Sequence, residues 1–329
     1  MNVPRSLLTR RHCLAFATAL AMPRLVRARA AFPTHPVRMI VPAAAGAGQD
    51  ILGRVVAQGL SEIWGQGVVV ENRVGAGGTI GSDAIAKAPA DGYVLGVINS
   101  SSMAISPALM PSVPYDPATS FTPLGLGCSN DCALVVRADS PFKNVADVTK
   151  AAKDRPGHLT WASAGSGSST HMAGELYTMS AGVELVHVPY RGSPPAVTAL
   201  LAGEVDLSFL TINSVLPGIS GGQLRALAST GRTADPLLPG VPSFAEAGYP
   251  AYEASGWLGF AGPAGMAPAL VAKISGDIRK VTTSESFKQA ILRSGMLPMN
   301  SSAEEFRDFM KTEIPKWREI VQKSGAKLD

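Results

Sequence analysis

With 329 residues, 46% hydrophobic content and 16% charged residues, the chain has enough material for two packed domains and does not read as a disordered tail. Its net charge of +4 is unevenly held, because residues 1–30 carry six arginines (Arg5, Arg10, Arg11, Arg24, Arg27, Arg29) and no acidic residue. The remainder holds 23 basic against 25 acidic residues, which removes the electrostatic footprint of a nucleic-acid partner.

Residues 1–30 read as an export signal. A basic stretch precedes the apolar run Cys13–Met22, and Ala28–Arg29–Ala30 offers a small-residue cleavage site before Ala31. Thr9 to Leu14 resembles a twin-arginine signal with Cys13 in place of the usual Phe, and an ordinary Sec signal is the alternative. No unbroken apolar run reaches the ~18 residues that a spanning helix needs.

The first strand expected is Val37–Val41, followed by the loop VPAAAGAGQDI and a helix over Gln49–Ile63. Gly46 and Gly48 match the first two glycines of a dinucleotide fingerprint, but Ile51 occupies the third glycine position. No Lys-Ser or Lys-Thr follows, so a phosphate-binding Walker loop fails too, and no cofactor is expected. What survives is the physics beneath those motifs. Ala44, Ala45, Gly46, Gly48 and Gln49 let backbone N–H groups face a ligand at a helix N-terminus, which favours an anion. Asp50 either belongs to that site or caps the helix.

Strands over Val68–Glu71 and Val94–Ile98 enclose a helix at Thr79–Ala88. Ser100, Ser101 and Ser102 then cap a helix or face a cleft. Cys128 and Cys132 would stand roughly 13 Å apart in an extended chain. A turn at Ser129–Asn130–Asp131 would let them pair in an oxidising compartment, and two separate thiols are the alternative.

A strand at Ala133–Arg137, a helix at Val145–Asp154 and a strand at Leu159–Ala162 lead to ASAGSGSSTHMAGE. There Ala164, Gly165, Ser166, Gly167, Ser168 and Ser169 supply backbone freedom and hydroxyls before a helix over Ser169–Ala181. His171, on its opening turn, could donate to a ligand. A strand over Leu185–Val188 runs into Tyr190 and Arg191. Further elements follow at Pro195–Ala202, Asp206–Leu210, Val215–Gly221 and Leu224–Ser229. This alternation argues for βαβ units and parallel sheets. After Trp257–Ala261 the pattern turns helical, over Pro268–Val281, Ser284–Ser294 and Ala303–Lys323, the last opened by a capping box at Ser302 and Glu305. The five histidines show no metal-ligand spacing.

Six phrases in one order then bring a family into view: the stretch beginning VPAAAGAGQDILGRVVAQGL, then YDPATSFTPL, GHLTWASAGSGSSTHMAGELY, HVPYRGSPPAVTALLAGEVDLSF, GQLRALASTG and LPGVPSFAEAGYP. Residues 33–329 resemble the Bug-type extracytoplasmic solute receptors, the substrate-binding proteins of tripartite tricarboxylate transporters. The resemblance implies an α/β, type II periplasmic-binding-protein-like fold with a ligand cleft between two domains. Domain one would be 31–131 with 254–329, domain two 132–253, with crossings through Cys132–Val136 and Glu253–Gly259. Loops 43–50 and 163–171 would meet the ligand, and Leu210 and Thr211 stand where many relatives carry Asp-Asn after the VDLSF stretch. It further implies a periplasmic monomer that closes over a small organic carboxylate, delivers it to membrane permease subunits and catalyses nothing.

Three positions depart from the family's usual pattern: Ala43 replaces a bulky aromatic, Ala47 a glycine and Gln49 a threonine. The missing acid near Thr211 lowers the expectation of an amino-acid ligand, and Ala43 suggests a roomier pocket. A sensor feeding a membrane signalling partner is the runner-up. An exported enzyme is third, since no nucleophile–base pair or acid–base dyad is visible.

Overall fold

The computed structural model describes residues 32–110, 112–324 and 326. The export-signal reading and its cleavage site therefore lie outside the described residues. Strands β1 (Val37–Val41), β2 (Val68–Asn72), β3 (Val94–Asn99) and β4 (Phe121–Ser129) join β10 (Trp257–Pro263) in one sheet, ordered β2-β1-β3-β10-β4. A second sheet holds β5 (Cys132–Arg137), β6 (Thr160–Ser163), β7 (Val186–Pro189), β8 (Leu207–Thr211) and β9 (Leu224–Ser229), ordered β7-β6-β8-β5-β9. The two orders are the same pattern. In each, three parallel strands are followed by one antiparallel strand supplied by the far side of a crossing, β10 in the first and β5 in the second. This is the type II arrangement.

Helices α1 (Gly48–Trp64) and α2 (Thr79–Ala86) make the crossovers of the first sheet. Between β3 and the short α3 (Ser106–Leu109), Ser101–Ile105 forms a wide π-type turn. In the second half α4 (Val145–Asp154), α5 (Ser169–Ala181), α6 (Ser193–Ala202) and α7 (Ile212–Ser220) alternate with strands, and α8 (Pro268–Thr283), α9 (Glu285–Arg293) and α10 (Ala303–Ser324) close the chain. Both sheets lie in one compact unit, His35–Asp329. The expected β1, α4, α5 and β9 are observed with their bounds unchanged. β4 was missed, because Pro123, Gly125 and Gly127 make FTPLGLGCS read as loop. It pairs with β10, with register shifts, and is bridged on its other side by Pro298 at Cys128, at the sheet edge where proline is tolerated.

Two short segments connect the sheets. Asn130 N–H donates to the Gly256 carbonyl at 2.9 Å, and Gly256 N–H donates to Asp131 Oδ1 at 3.0 Å. A Cβ at Gly256 would stand 2.2 Å from the Asn130 carbonyl, so only glycine lets the two crossings run this close. The turn that would pair Cys128 with Cys132 does not form. β4 passes into β5 with only residues 130 and 131 between, and both cysteines are free, buried thiols, with Cys128 Sγ 3.7 Å from Met296 Sδ.

The C-terminal helix joins both halves. Its capping box is made: Glu305 N–H donates to Ser302 Oγ at 3.1 Å and Ser302 N–H to Glu305 Oε2 at 2.7 Å. Phe306 and Met310 pack with the first sheet's core, while Trp317 and Val321 enter the cluster built on Trp161, Phe209 and Tyr252 of the second half. The apolar side of this helix is therefore core, shared by both halves. Among the described residues no helix is long and apolar enough to cross a membrane.

Candidate functional site

The parallel strands of both sheets end in the loops that the sequence singles out. After β1, Ala44, Ala45 and Gly46 are exposed, and Gly46 takes φ +81°. Its N–H is not free for a ligand: it donates to Asp50 Oδ2 at 2.9 Å. Asp50 is 3% exposed and also receives Arg54 Nε at 2.9 Å and, on Oδ1, Asn72 Nδ2 at 2.9 Å. Burial pushes the Asp50 carboxyl up, but Arg54, the Gly46 N–H and Asn72 outweigh it and hold it below its usual range. Asp50 thus braces the loop from behind, and Asn72 Nδ2 ties the same brace to the Ala43 carbonyl at 2.9 Å.

That leaves the first turn of α1. Ala47 precedes it and has no side-chain oxygen, so no side chain caps the helix. The N–H groups of the first turn have no intrahelical acceptors, and the helix dipole concentrates positive charge there. A Cβ added to Gly48 would stand 3.0 Å from Met296 Sδ and 3.5 Å from both Asn130 Oδ1 and Asn213 Nδ2. Glycine keeps this approach narrow and leaves the backbone accessible. Gln49 is half-buried, and its Oε1 is buried without a hydrogen-bond partner.

Asn213 is the second residue of α7, which begins at Ile212, three residues before the sequence-expected start. Thr211 precedes it in extended backbone and makes no cap to the helix; its Oγ1 donates to Ser214 Oγ at 3.2 Å. The Asp131 carbonyl accepts Ile212 N–H at 2.9 Å. Two uncapped helix N-termini, one from each sheet, are therefore brought together around Gly48 and Asn213.

The loop after β6 behaves differently. Ala164 N–H donates to Thr170 Oγ1 at 2.8 Å, Gly165 N–H to Ser163 Oγ at 3.1 Å, and Gly167 N–H to His171 Nδ1 at 3.2 Å. Ser168 caps α5 by accepting His171 N–H at 3.1 Å, and its Oγ also donates to the Gly165 carbonyl at 2.6 Å. His171 is 3% exposed and lies beneath the loop, so it does not face the cleft. Ser166 and Ser169 flank the cap, and Ser169 N–H reaches the first sheet's side, donating to Ser101 Oγ at 3.1 Å. Ser100 is buried, just before that turn. Tyr190 is half-buried, and burial and the Glu204 carboxylate both push its hydroxyl up.

Sequence reasoning missed Asn130, Asn213, Met296 and Asn99, whose Nδ2 is buried without a partner while its Oδ1 accepts Ser102 N–H at 2.8 Å. Asn213 was legible as a helix start only by reading Thr211 as the residue before α7. Around Gly48 the side chains of Gln49, Asn130, Thr211 and Asn213 are amides and a hydroxyl, so with Asp50 ion-paired to Arg54 the arrangement offers backbone dipoles, amides and hydroxyls to an anion. Among the described residues no group of three or more His, Cys, Asp or Glu could hold a metal.

Comparison with known proteins gives this geometry its context. Residues 52–326 match the family model described as "Tripartite tricarboxylate transporter family receptor". Protein BugT of Bordetella pertussis is 36% identical over 298 residues, covering 90% of this chain and 91% of BugT. The solved structure of R. palustris Rpa4515 with adipate superposes with a TM-score of 0.84 at 32% identity, covering 91% of this chain and all of that one. MatC (Rpa3494) of Rhodopseudomonas palustris with bound malate superposes at 0.80 with 28% identity, covering 88% of this chain and all of MatC. The chain belongs to the receptor family of the tripartite tricarboxylate transporters.

Proposed function

We propose that this chain captures a small organic carboxylate between the two sheets and delivers it to the membrane permease subunits of a tripartite transporter. The observation that carries the reading is the meeting of two uncapped helix N-termini at Gly48 and Asn213. A carboxylate accepts several N–H donors at once and gains from both helix dipoles, and charge-assisted bonds of this kind are the strong ones. Gln49, Ser101, Ser166, Ser169, Thr211 and Asn213 complete the contact surface, with Ala44, Ala45 and the Ala164–Ser168 loop as its walls. Adipate and malate in the two relatives fit that chemistry.

In this reading, residues 31–131 with 254–329 form one domain and 132–253 the other. Closure bends the crossings at Asn130–Cys132 and Glu253–Trp257. Residues 1–30 direct export, by the Sec or twin-arginine route, and the receptor works in the periplasm as a monomer. In this reading the ligand is bound and released unchanged, and the Ser163 hydroxyl, 2.7 Å from His187 Nε2, is fully buried and braces the loop by accepting Gly165 N–H.

A thermal-shift series on the chain beginning at Ala31 tests this, with malate, adipate, tricarboxylates, aromatic acids, amino acids and matched amides. A ligand at 100 times its Kd adds about 2.7 kcal/mol to native stability. A shift with one acid class, absent for its amides, is the expected result. Equal shifts with acids and amides, or none with any acid after removal of carried-over ligand, would overturn the reading.

A further inference from the structure

We propose that His171 is a positioning residue that holds the 163–169 loop in its ligand-ready form only while its imidazole is neutral. The inference rests on the carboxylate-receptor reading for its consequence, though not for its geometry. Gly167 N–H donates to His171 Nδ1 at 3.2 Å, which requires a lone pair on Nδ1 and places the ring proton on Nε2. Nε2 faces Glu175 Oε1 at 3.5 Å. The imidazole of His187 stacks on that of His171 with centroids 4.4 Å apart and planes 19° from parallel, and Trp161 packs against both, 4.2 Å from His187 and 6.1 Å from His171. His187 Nε2 lies 2.7 Å from Ser163 Oγ, the same hydroxyl that accepts Gly165 N–H. Two stacked imidazoles thus fix both ends of the loop.

Adding a proton to Nδ1 sets two N–H donors against each other at Gly167 and places a cation over a second imidazole. Glu175 favours that cation, so the proton can be taken up in the folded protein by swinging the ring toward the carboxylate and releasing Gly167. The groups facing His171 are His187 from β7 and Glu175 from α5; β6 presents Trp161, and α10 packs on α5 through Trp317 and Val321, none of them titratable near neutrality. Release reaches the cleft because Ser169, two residues on from Gly167, donates across to Ser101.

The sign follows by linkage. A proton on Nδ1 competes with the Gly167 N–H, so affinity falls on acidification, by about tenfold per pH unit at most for one proton. The decisive variant is His171→Asn, whose Oδ1 can accept Gly167 N–H and does not titrate. The Gly167 amide resonance of the ligand-free protein is followed from pH 8 to pH 5, alongside malate and adipate affinities. Comparing wild type with His171→Asn at each pH cancels titration of the acids themselves. The expected result is a titrating Gly167 amide in wild type, a flat one in His171→Asn, and an affinity advantage of the variant that grows at least about fivefold toward pH 5. A flat wild-type amide overturns the proposal, as does an acid limb kept in His171→Asn or abolished only by His187→Asn. Should neither acid bind at any pH, the receptor reading fails, and the ligand-free amide titration still decides the role of His171.

Discussion

Two small-residue turns, 42–48 after β1 and 164–168 after β6, each lead from a strand into a helix, and they spend their N–H groups in opposite ways. The second closes on itself: Ser163, Ser168, Thr170 and His171 accept its donors, and Ser168 caps α5. In the first, Gly46 N–H is held by Asp50 and Ala47 N–H by the Ala44 carbonyl at 3.2 Å, and α1 begins behind an alanine without a side-chain cap. Open donors at a helix start are an anion site waiting for an external acceptor, whereas a capped start is already neutralised by its own oxygen. Similar strings of glycine and small residues therefore serve different purposes, one as a docking point and one as a shaped wall.

The sharpest way to break this contrast is Gly48→Val. Its side chain would occupy the approach toward Met296, Asn130 and Asn213, and loss of one or two charge-assisted bonds should weaken malate or adipate binding roughly 100-fold by calorimetry. Unchanged affinity would place the ligand elsewhere. Asn213→Ala removes only the amide beside Gly48 and should cost about tenfold, with little change in melting temperature.

The crossing between the sheets supplies a test through pH. Burial pushes the Asp131 carboxyl up to about 7, with the Gly256 N–H opposing and Asp235 adding to the rise. A carboxyl raised in the folded state contributes stability below its unfolded pKa of about 3.9 and loses it as pH climbs to 7. Asp131→Asn keeps an acceptor for Gly256 and removes that loss. It should raise the melting temperature at pH 8 and leave it nearly unchanged at pH 4, and an equal effect at both would refute burial as the cause. The smallest effect is expected from Ser168→Ala, which removes the α5 cap and costs about 1 kcal/mol in denaturant melts. Its ligand affinity should stay within about threefold, because Gly167 N–H keeps its His171 acceptor and Ser169 N–H its Ser101 acceptor.

Much of the fold was legible because its signals are local. The apolar run Val37–Val41, the uncapped small-residue turn after it, and the capping box at Ser302 and Glu305 each announce an element from a few neighbouring residues. The site was legible only in part. Loops 43–50 and 163–171 stood out by their glycines, but the sequence could not say that Asp50 and His171 turn inward as braces. Both are polar residues on the first turn of a helix, and the same position suits a ligand contact or a loop support. Which one results depends on the partner that arrives, Arg54 and Asn72 for Asp50, Gly167 and His187 for His171.

The sequence by itself determined the alternation of strands and helices, the two small-residue turns and the family resemblance, since each follows from residue spacing along the chain. Only the tertiary structure decided that Gly48 meets Asn213 across 164 intervening positions, that β4 joins a sheet despite its proline and glycines, and that Cys128 and Cys132 remain apart. These outcomes hang on contacts between segments distant in sequence, whose energies no local pattern encodes.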